Sequence, residues 1–394
     1  MQTCTLHLCL VSDQATPNLL PLLDPAWHPA TVVLATSERM KHNALALKSV
    51  MQTKGQGLKI ELLDLPDAFD YGALADAFLN FLAAHEGQRV ALNATGGTKL
   101  MALAAQEVFR SQGLPVYYVN VENDTVVVLG ERTPAPPLRA QLKVHELLRA
   151  HGHTVDVPEQ PQVTAALRDL TARFIDQIEH AGRALGVLNY LALQAQDAGG
   201  LSAKLSPEQL GSEALGELIG QLSDAGLVRQ AGLQLSFKNE LARFFAAGGW
   251  LEWHVLEQVQ SLRGQMPQAL TDVVCGLSVR FANPPKGRAG LDKNEIDVAF
   301  LYRNTLHIIE CKTANLAASD ATGTRASAAI YKLESLRRLG GLRTRAALID
   351  YRGALAPGSV DRARAEEDGL LVISGRELRD LAGVLQRRWL QGGA

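Results

Sequence analysis

Along the first third of the chain, short apolar runs alternate with stretches whose apolar positions recur every three or four residues. The runs at residues 4–11, 31–34, 58–63, 89–93, 116–120 and 125–129 read as strands. The stretches at 18–23, 42–52 and 73–86, and the Ala- and Leu-rich residues after Lys99, read as amphipathic helices. Strands alternating with helices predict an α/β domain with a mostly parallel, Rossmann-like sheet. Residues 163–247 carry helical apolar spacing, with Ser206-Pro207-Glu208 as a helix start and a small wing-like hairpin at 224–237. From Gly248-Gly249-Trp250 onward the pattern is mixed again. A helix beginning at Leu251 leads to a strand at 273–283, a pair of apolar runs, a helix at 331–339, strands at 346–350 and 370–373, and a last helix ending near Leu390.

The paired runs, 298–302 and 305–309, flank Arg303-Asn304, which reads as a two-residue hairpin turn. With that loop Tyr302 faces Thr305, and counting back sets Asp297 directly opposite Glu310, with Cβ atoms roughly 5 Å apart. Period-two alternation places Lys312 on the same face, one step beyond Glu310. Two carboxylates opposite each other on a sheet repel unless something neutralises them. A divalent cation, Mg²⁺ or Mn²⁺, is the simplest candidate, and the lysine would then sit beside developing negative charge. The bland alternative is an edge hairpin with solvated charges.

At 394 residues, with 47% hydrophobic and 20% charged positions, the chain is expected to fold as two or three domains with real cores. A net charge of −2 gives no global attraction to nucleic acid, so any such contact must use a local basic surface. Cys4, Cys9, Cys275 and Cys311 show no paired metal-ligand spacing and suit reduced thiols. No apolar run reaches membrane-spanning length and the opening residues lack signal-peptide character, so the expected location is the cytoplasm, with no membrane partner.

A second chemical signal follows the strand ending at Asn93. Ala94-Thr95-Gly96-Gly97-Thr98-Lys99 combines adjacent glycines, two hydroxyls and a cation at the start of a helix, where free N–H groups and positive dipole suit phosphate. The spacing is neither GxxxxGK nor GxGxxG, and an ordinary strand-to-helix turn with a Thr cap fits equally well.

Asp297 and Glu310-Cys311-Lys312 resemble the PD-(D/E)xK nuclease motif, and Asn294-Glu295-Ile296-Asp297-Val298 resembles a common form of its first half. Together with Ser12-x-Gln14, Thr36-Ser37 and the Asn93–Lys99 loop on a Rossmann-like domain, the whole order resembles the CARF-domain nucleases that accompany type III CRISPR systems. That resemblance implies a homodimer binding a cyclic oligoadenylate, commonly cyclic tetra-adenylate, across its two-fold axis, and a nuclease switched on by the ring. It makes Ser12, Gln14, Thr36, Ser37, Asn93, Thr95, Gly96, Gly97, Thr98 and Lys99 the ring-contacting candidates, with Asn18, Arg39 and Lys41 as weaker ones. It also implies that the segment around Trp250 supplies a further acid. Glu252 thus joins Asp297, Glu310 and the Cys311 backbone carbonyl as metal ligands, and Asp297, Glu310, Lys312 and Glu252 form the catalytic set. A solvated helix glutamate is the alternative for Glu252.

The expected organisation is a CARF sensing domain at 1–133, a helical, winged-helix-like connector at 134–247 opened by Pro134-Ala135-Pro136-Pro137, and a PD-(D/E)xK domain at 248–394. A polar loop at 284–293 precedes the hairpin. The small, polar residues 313–327 form a loop near the site. Lys332, Arg337, Arg338, Arg343 and Arg345 line a path for substrate backbone or simply form a solvated basic face. Trp250, Trp253 and Trp389 are expected in the core or an interface. The leading expectation is a metal-dependent, ring-activated nuclease cutting single-stranded DNA or RNA and nicking duplex DNA. Its rivals are a non-catalytic nucleotide-sensing regulator and a repair or restriction endonuclease without a ligand switch.

Overall fold

The computed structural model describes residues 4–55, 57–132, 137–282, 293–320 and 323–391. Most of the expected proline boundary (134–136) and of the polar loop before the hairpin (284–292) lies outside these residues.

The first domain is a six-stranded sheet made of β1 (Leu6–Leu10), β2 (Thr31–Thr36), β3 (Lys59–Asp64), β4 (Val90–Asn93), β5 (Val116–Asn120) and β6 (Thr125–Val128). Its order is β3-β2-β1-β4-β5-β6, with the first five strands parallel and β6 antiparallel at the edge. β1 is buried throughout, its one polar residue His7 included, because both its faces are covered. Cys9, Val32 and Leu34 meet the helices Thr16–Leu23 and Lys41–Lys54, while Leu8, Leu10 and Val33 meet Tyr71–Ala84 and Lys99–Ser111. The chain reverses sheet direction at β1, which has β2 on one side and β4 on the other. Their carboxyl ends carry Ser12, Ser37 and the Gly96-Gly97 loop, the place where α/β sheets collect ligands.

β7 (His153–Asp156), expected with the connector, instead forms the outer strand of the second large sheet. The connector helices Gly182–Asp197 and Glu213–Asp224 pack on a three-stranded sheet, β8 (Ser202–Lys204), β9 (Val228–Ala231) and β10 (Gln234–Phe237), in the order β8-β10-β9, while Ala165–Asp176 packs on the Trp250–Gln265 helix. The second large sheet contains β7, β11 (Leu270–Phe281), β12 (Asn294–Tyr302) and β13 (Thr305–Lys312). After a short ribbon, β14 (Ser319–Asp320) and β15 (Gly323–Thr324), it is completed by β16 (Arg345–Asp350) and β17 (Leu371–Ser374). The order is β17-β16-β13-β12-β11-β7, antiparallel from β7 to β13 and parallel from β13 to β17.

The three expected pieces share their cores. Leu142, Val144 and Leu147, beyond the first sheet, pack in one cluster with Cys9 and Leu34 and with Leu306 and Ile308 of β13. On the other face, Phe174 of the connector, Trp250 and Tyr351 stack edge to face, and the Tyr351 hydroxyl donates to the Phe174 carbonyl at 2.6 Å. Trp250, Trp253 and Trp389 are all buried. Among the described residues no helix is long and apolar enough to cross a membrane.

The glycines after β4 are required by the chain's own packing. A Cβ on Gly96 would overlap the Leu10 carbonyl oxygen, and Gly97 has φ 75°. Gly96→Ala should therefore cost roughly 1–3 kcal/mol, the usual penalty for forcing extra volume into a packed site. A urea midpoint unchanged from wild type would show that the loop is loose.

Candidate active site and ligand pocket

The turn between β12 and β13 is the two-residue loop Arg303-Asn304, with φ of 47° and 52°. Positive φ at both positions is the type I′ form, whose twist matches that of the strands it joins. The register runs from Tyr302 opposite Thr305 to Val298 opposite Ile309. One step further come Asp297 and Glu310, both buried. Asp297 Oδ2 accepts the Cys311 N–H at 2.7 Å, which ties the two strands together beyond the last regular pair.

Glu310 is fully buried, and two lysines reach the same oxygen. Lys312 Nζ lies 2.5 Å and Lys332 Nζ 2.6 Å from Oε1. Lys332 comes from the Arg325–Arg337 helix, twenty residues further along the chain. Glu310 Oε2 is buried and, among the described residues, has no hydrogen-bond partner. Nearby Asp350 shows what a structural carboxylate looks like. It too is fully buried, but it accepts from Ser374 Oγ and Leu355 N at 2.8 Å and from Arg352 N at 3.1 Å. A buried carboxylate oxygen without a donor is costly unless a cation completes it.

The neighbouring acids hold on to their protons more tightly than ordinary carboxyls. Burial, then the Glu310 charge, raises Asp297 to about 7. Burial, then the Asp297 and Glu295 charges, raises Glu252 to about 9. Glu252 projects from the Trp250–Gln265 helix and is half-buried, not a solvated helix glutamate. Burial alone would lower Lys312, yet its net shift is upward because Glu310 and Asp297 favour the ammonium. Burial and the same acids keep the Cys275 and Cys311 thiols protonated.

In the first domain a cavity of about 590 Å³ opens at the strand ends. Ser12, Ser37, Gly97 and Thr98 line it together with Arg39 and the exposed Phe69. Several expected ring contacts are committed elsewhere. Asn93 donates to Pro17 O at 2.9 Å and Asn18 Oδ1 at 3.1 Å, and accepts from the Thr95 hydroxyl at 2.7 Å. Thr95 in turn accepts from Val119 N at 2.8 Å. Thr36 is fully buried and bonds the Ser37 carbonyl. Gln14 faces the gap towards Asn304 and Gly341 of the second large sheet. Lys99 is exposed at the start of its helix and outside the cavity lining, and Lys41 pairs with Asp64 at 3.4 Å. Thr98 keeps its capping role, accepting from Met101 N at 3.2 Å.

Two family descriptions match the sequence: the Card1 CARF domain over residues 6–147 and the Card1-like endonuclease domain over residues 239–391. The chain belongs to the CARF-domain nucleases. Its fold is similar to that of protein VC1899 from Vibrio cholerae, with a TM-score of 0.85 and 29% identity over 98% of this chain and 97% of that one. It is also similar to Can2 from Sulfobacillus thermosulfidooxidans, solved with cyclic tetra-adenylate, at TM-score 0.79 and 24% identity over 98% and 99% of the two chains. A type III CRISPR defence DNA nuclease activated by cyclic oligoadenylate shares the fold at TM-score 0.54 and 17% identity, over 89% of this chain and 45% of that one. No curated protein matches the sequence.

Within this CARF-domain nuclease, the donor set suits a hydrated divalent ion better than a closed cage. Among the described residues no three acidic, His or Cys side chains gather closely enough to hold a metal together. In this arrangement Asp297 Oδ2 is taken by the Cys311 N–H and Glu310 Oε1 by the lysines, while Glu252, raised to about 9, stands protonated beside them. Two carboxylates plus water is still an ordinary Mg²⁺ environment, and the unpartnered Glu310 Oε2 offers the open position. Lys332 is the residue whose place sequence reasoning missed. It belonged to a basic stretch, but its arrival at Glu310 depends on how the helix packs on β13. Arg337 and Arg345 of that stretch instead bond the Thr344, Asp368 and Trp389 carbonyls, away from the carboxylates.

Raised acids make a pH prediction. Their neutral forms favour the fold, so that stabilisation is complete below the ordinary values of 3.8 for Asp and 4.5 for Glu. It is lost as pH climbs to about 7 for Asp297 and about 9 for Glu252. Glu252→Gln imitates the neutral acid at every pH. In EDTA its melting temperature should gain on wild type steadily from pH 5 to pH 9. A gap that stays constant over that range would mean Glu252 ionises normally.

Proposed function

We propose that this protein is a divalent-metal-dependent endonuclease, working as a homodimer in type III CRISPR defence, whose cutting is activated by cyclic oligoadenylate. The observation that carries the reading is Glu310: a fully buried carboxylate with two lysines on one oxygen, no partner among the described residues on the other, and Asp297 beside it. Asp297, Glu310 and the Cys311 carbonyl are the proposed holders of Mg²⁺ or Mn²⁺, which when bound supplies Lewis-acid polarisation of a phosphodiester and activation of the attacking water. Lys312, drawn towards the carboxylates, orients that water or carries its proton. Lys332, a compact cation at the mouth of the site, turns from Glu310 to the scissile phosphate and offsets the charge that builds up there. Neutral Glu252 is a hydrogen-bond donor beside Asp297 and can accept a proton only after losing its own.

The CARF cavity is the proposed sensor. It encloses part of a cyclic tetra-adenylate, and a two-fold pair of cavities presents matching halves to a ring whose phosphates repeat. Ser12, Ser37, Thr98 and the Gly97 backbone supply hydroxyl and N–H donors, and Arg39 a cation. Single-stranded DNA and RNA are the proposed substrates, with nicking of duplex DNA.

The test is to incubate the protein with single-stranded DNA and RNA, with and without cyclic tetra-adenylate and Mn²⁺. Cutting is expected only with both. Asp297→Ala and Glu310→Ala should abolish it, and Lys312→Ala or Lys332→Ala should lower it by roughly 10²–10³-fold, the usual loss for one preorganised electrostatic contact. Normal cutting by Glu310→Ala would overturn the site. Ring-independent cutting by wild type would leave an endonuclease without a switch.

A further inference from the structure

The turn that sets the catalytic hairpin is also the point where the hairpin meets the sensor. Asn304 is buried, and its side chain is fully engaged across the domain boundary. Its Nδ2 donates to Asp124 Oδ2 at 3.0 Å and to the Ala140 carbonyl at 3.1 Å, and its Oδ1 accepts from Leu142 N at 3.0 Å. Asp124 ends the β5–β6 turn of the CARF sheet and has φ 51°. Its own carbonyl accepts from Leu138 N at 2.7 Å, so the sensor turn, the segment after it and the hairpin turn are tied at one point.

From that point a continuous route leads back to the ring loop. β5 runs directly into the turn containing Asp124, and Val119 N on β5 donates to Thr95 Oγ1, which is anchored to Asn93 at the head of the Gly96-Gly97 loop. In the other direction β13 leaves Asn304 and reaches Glu310 after six residues, about 20 Å at strand rise. A hydrogen-bonded hairpin is stiff along its length, so a shift of its turn moves its far end as a body.

We propose that Asn304 is a positioning residue that couples the sensor to the cutting centre by clamping the turn of the catalytic hairpin to Asp124. The inference rests on the reading that the ring activates cutting. The ring acts by favouring one placement of the ring loop and β5 over another, since a ligand with equal affinity for both shifts nothing. The clamp carries that preference into β12 and β13, and with it the approach of Asp297, Glu310 and Lys332. Asn304 touches neither substrate nor ring.

Because Asn304 and Asp124 both sit at positive φ, glycine at either position keeps the turn and deletes the side chain. The experiment measures the ratio of cutting rates with and without cyclic tetra-adenylate in Mn²⁺, with ring affinity followed by calorimetry. Asn304→Gly and Asp124→Gly should each lose most of the stimulation, about 5- to 150-fold for a coupling of ordinary size, while still binding the ring. Asp124→Asn keeps an acceptor oxygen and should keep the stimulation, and the double glycine variant should be no worse than either single one. Hydrogen exchange on the wild-type protein gives a second reading that needs no variant: adding the ring should change protection at residues 121–124 and 302–305. Glycine variants stimulated as strongly as wild type, or a stimulated wild type with unchanged exchange at both turns, would overturn the clamp. A wild type that cuts without any response to the ring would instead remove the sensor reading on which the clamp rests.

Discussion

The structure depends on keeping a carboxylate where carboxylates are least welcome. Glu310 lies on a strand interior to its sheet, fully buried, next to a second buried acid. An uncompensated charge there would cost several kcal/mol. Two lysines compensate it in the arrangement seen, and they arrive by unrelated routes. Lys312 comes from strand alternation and Lys332 from a helix laid across β13. Asp297 and Glu252 respond to the same crowding with raised pKa values, to about 7 and about 9. A site so loaded is unfavourable for folding alone and suited to receiving a cation and a phosphate, which is the pattern of strain expected where chemistry is done.

The same constraint explains why the hairpin is so firmly specified. A one-residue slip would send Asp297 and Glu310 to opposite faces. Register is fixed at the other end of the strands by Arg303 and Asn304, neither of them glycine, both held at positive φ. That conformation is affordable for Asn304 because its side chain is satisfied by three partners outside the hairpin. The first domain and the segment after it are therefore part of what holds the register that sets Asp297 beside Glu310.

Much of this was legible in the sequence because it is local. The alternation around Arg303-Asn304 dictates the turn, and the turn dictates that Asp297 faces Glu310 and that Lys312 follows on the same face. The strand–helix rhythm of the first domain gives its parallel sheet for the same reason. What could not be read depends on packing between distant segments. Lys332 reaches Glu310 only because its helix crosses β13. β7 joins the second sheet although connector helices follow it. Among the expected ring contacts, Asn93 and Thr95 have polar side chains suited to a ligand, yet they satisfy each other and neighbouring backbone. Residue type alone does not say whether an amide faces a cavity or a carbonyl. Gly96 makes the same point: its missing Cβ serves Leu10 of its own chain.

The central claim is that Glu310 and Asp297 form a cation site that the lysines occupy in its absence. A crystal structure of the protein grown with Mn²⁺, with anomalous data at the manganese edge, tests it most directly. The account predicts a peak about 2.0–2.2 Å from a carboxylate oxygen of each acid, near the distances usual for small divalent ions, with Lys332 moved off Glu310. Manganese bound elsewhere, with both lysines still on Glu310 Oε1, would contradict it.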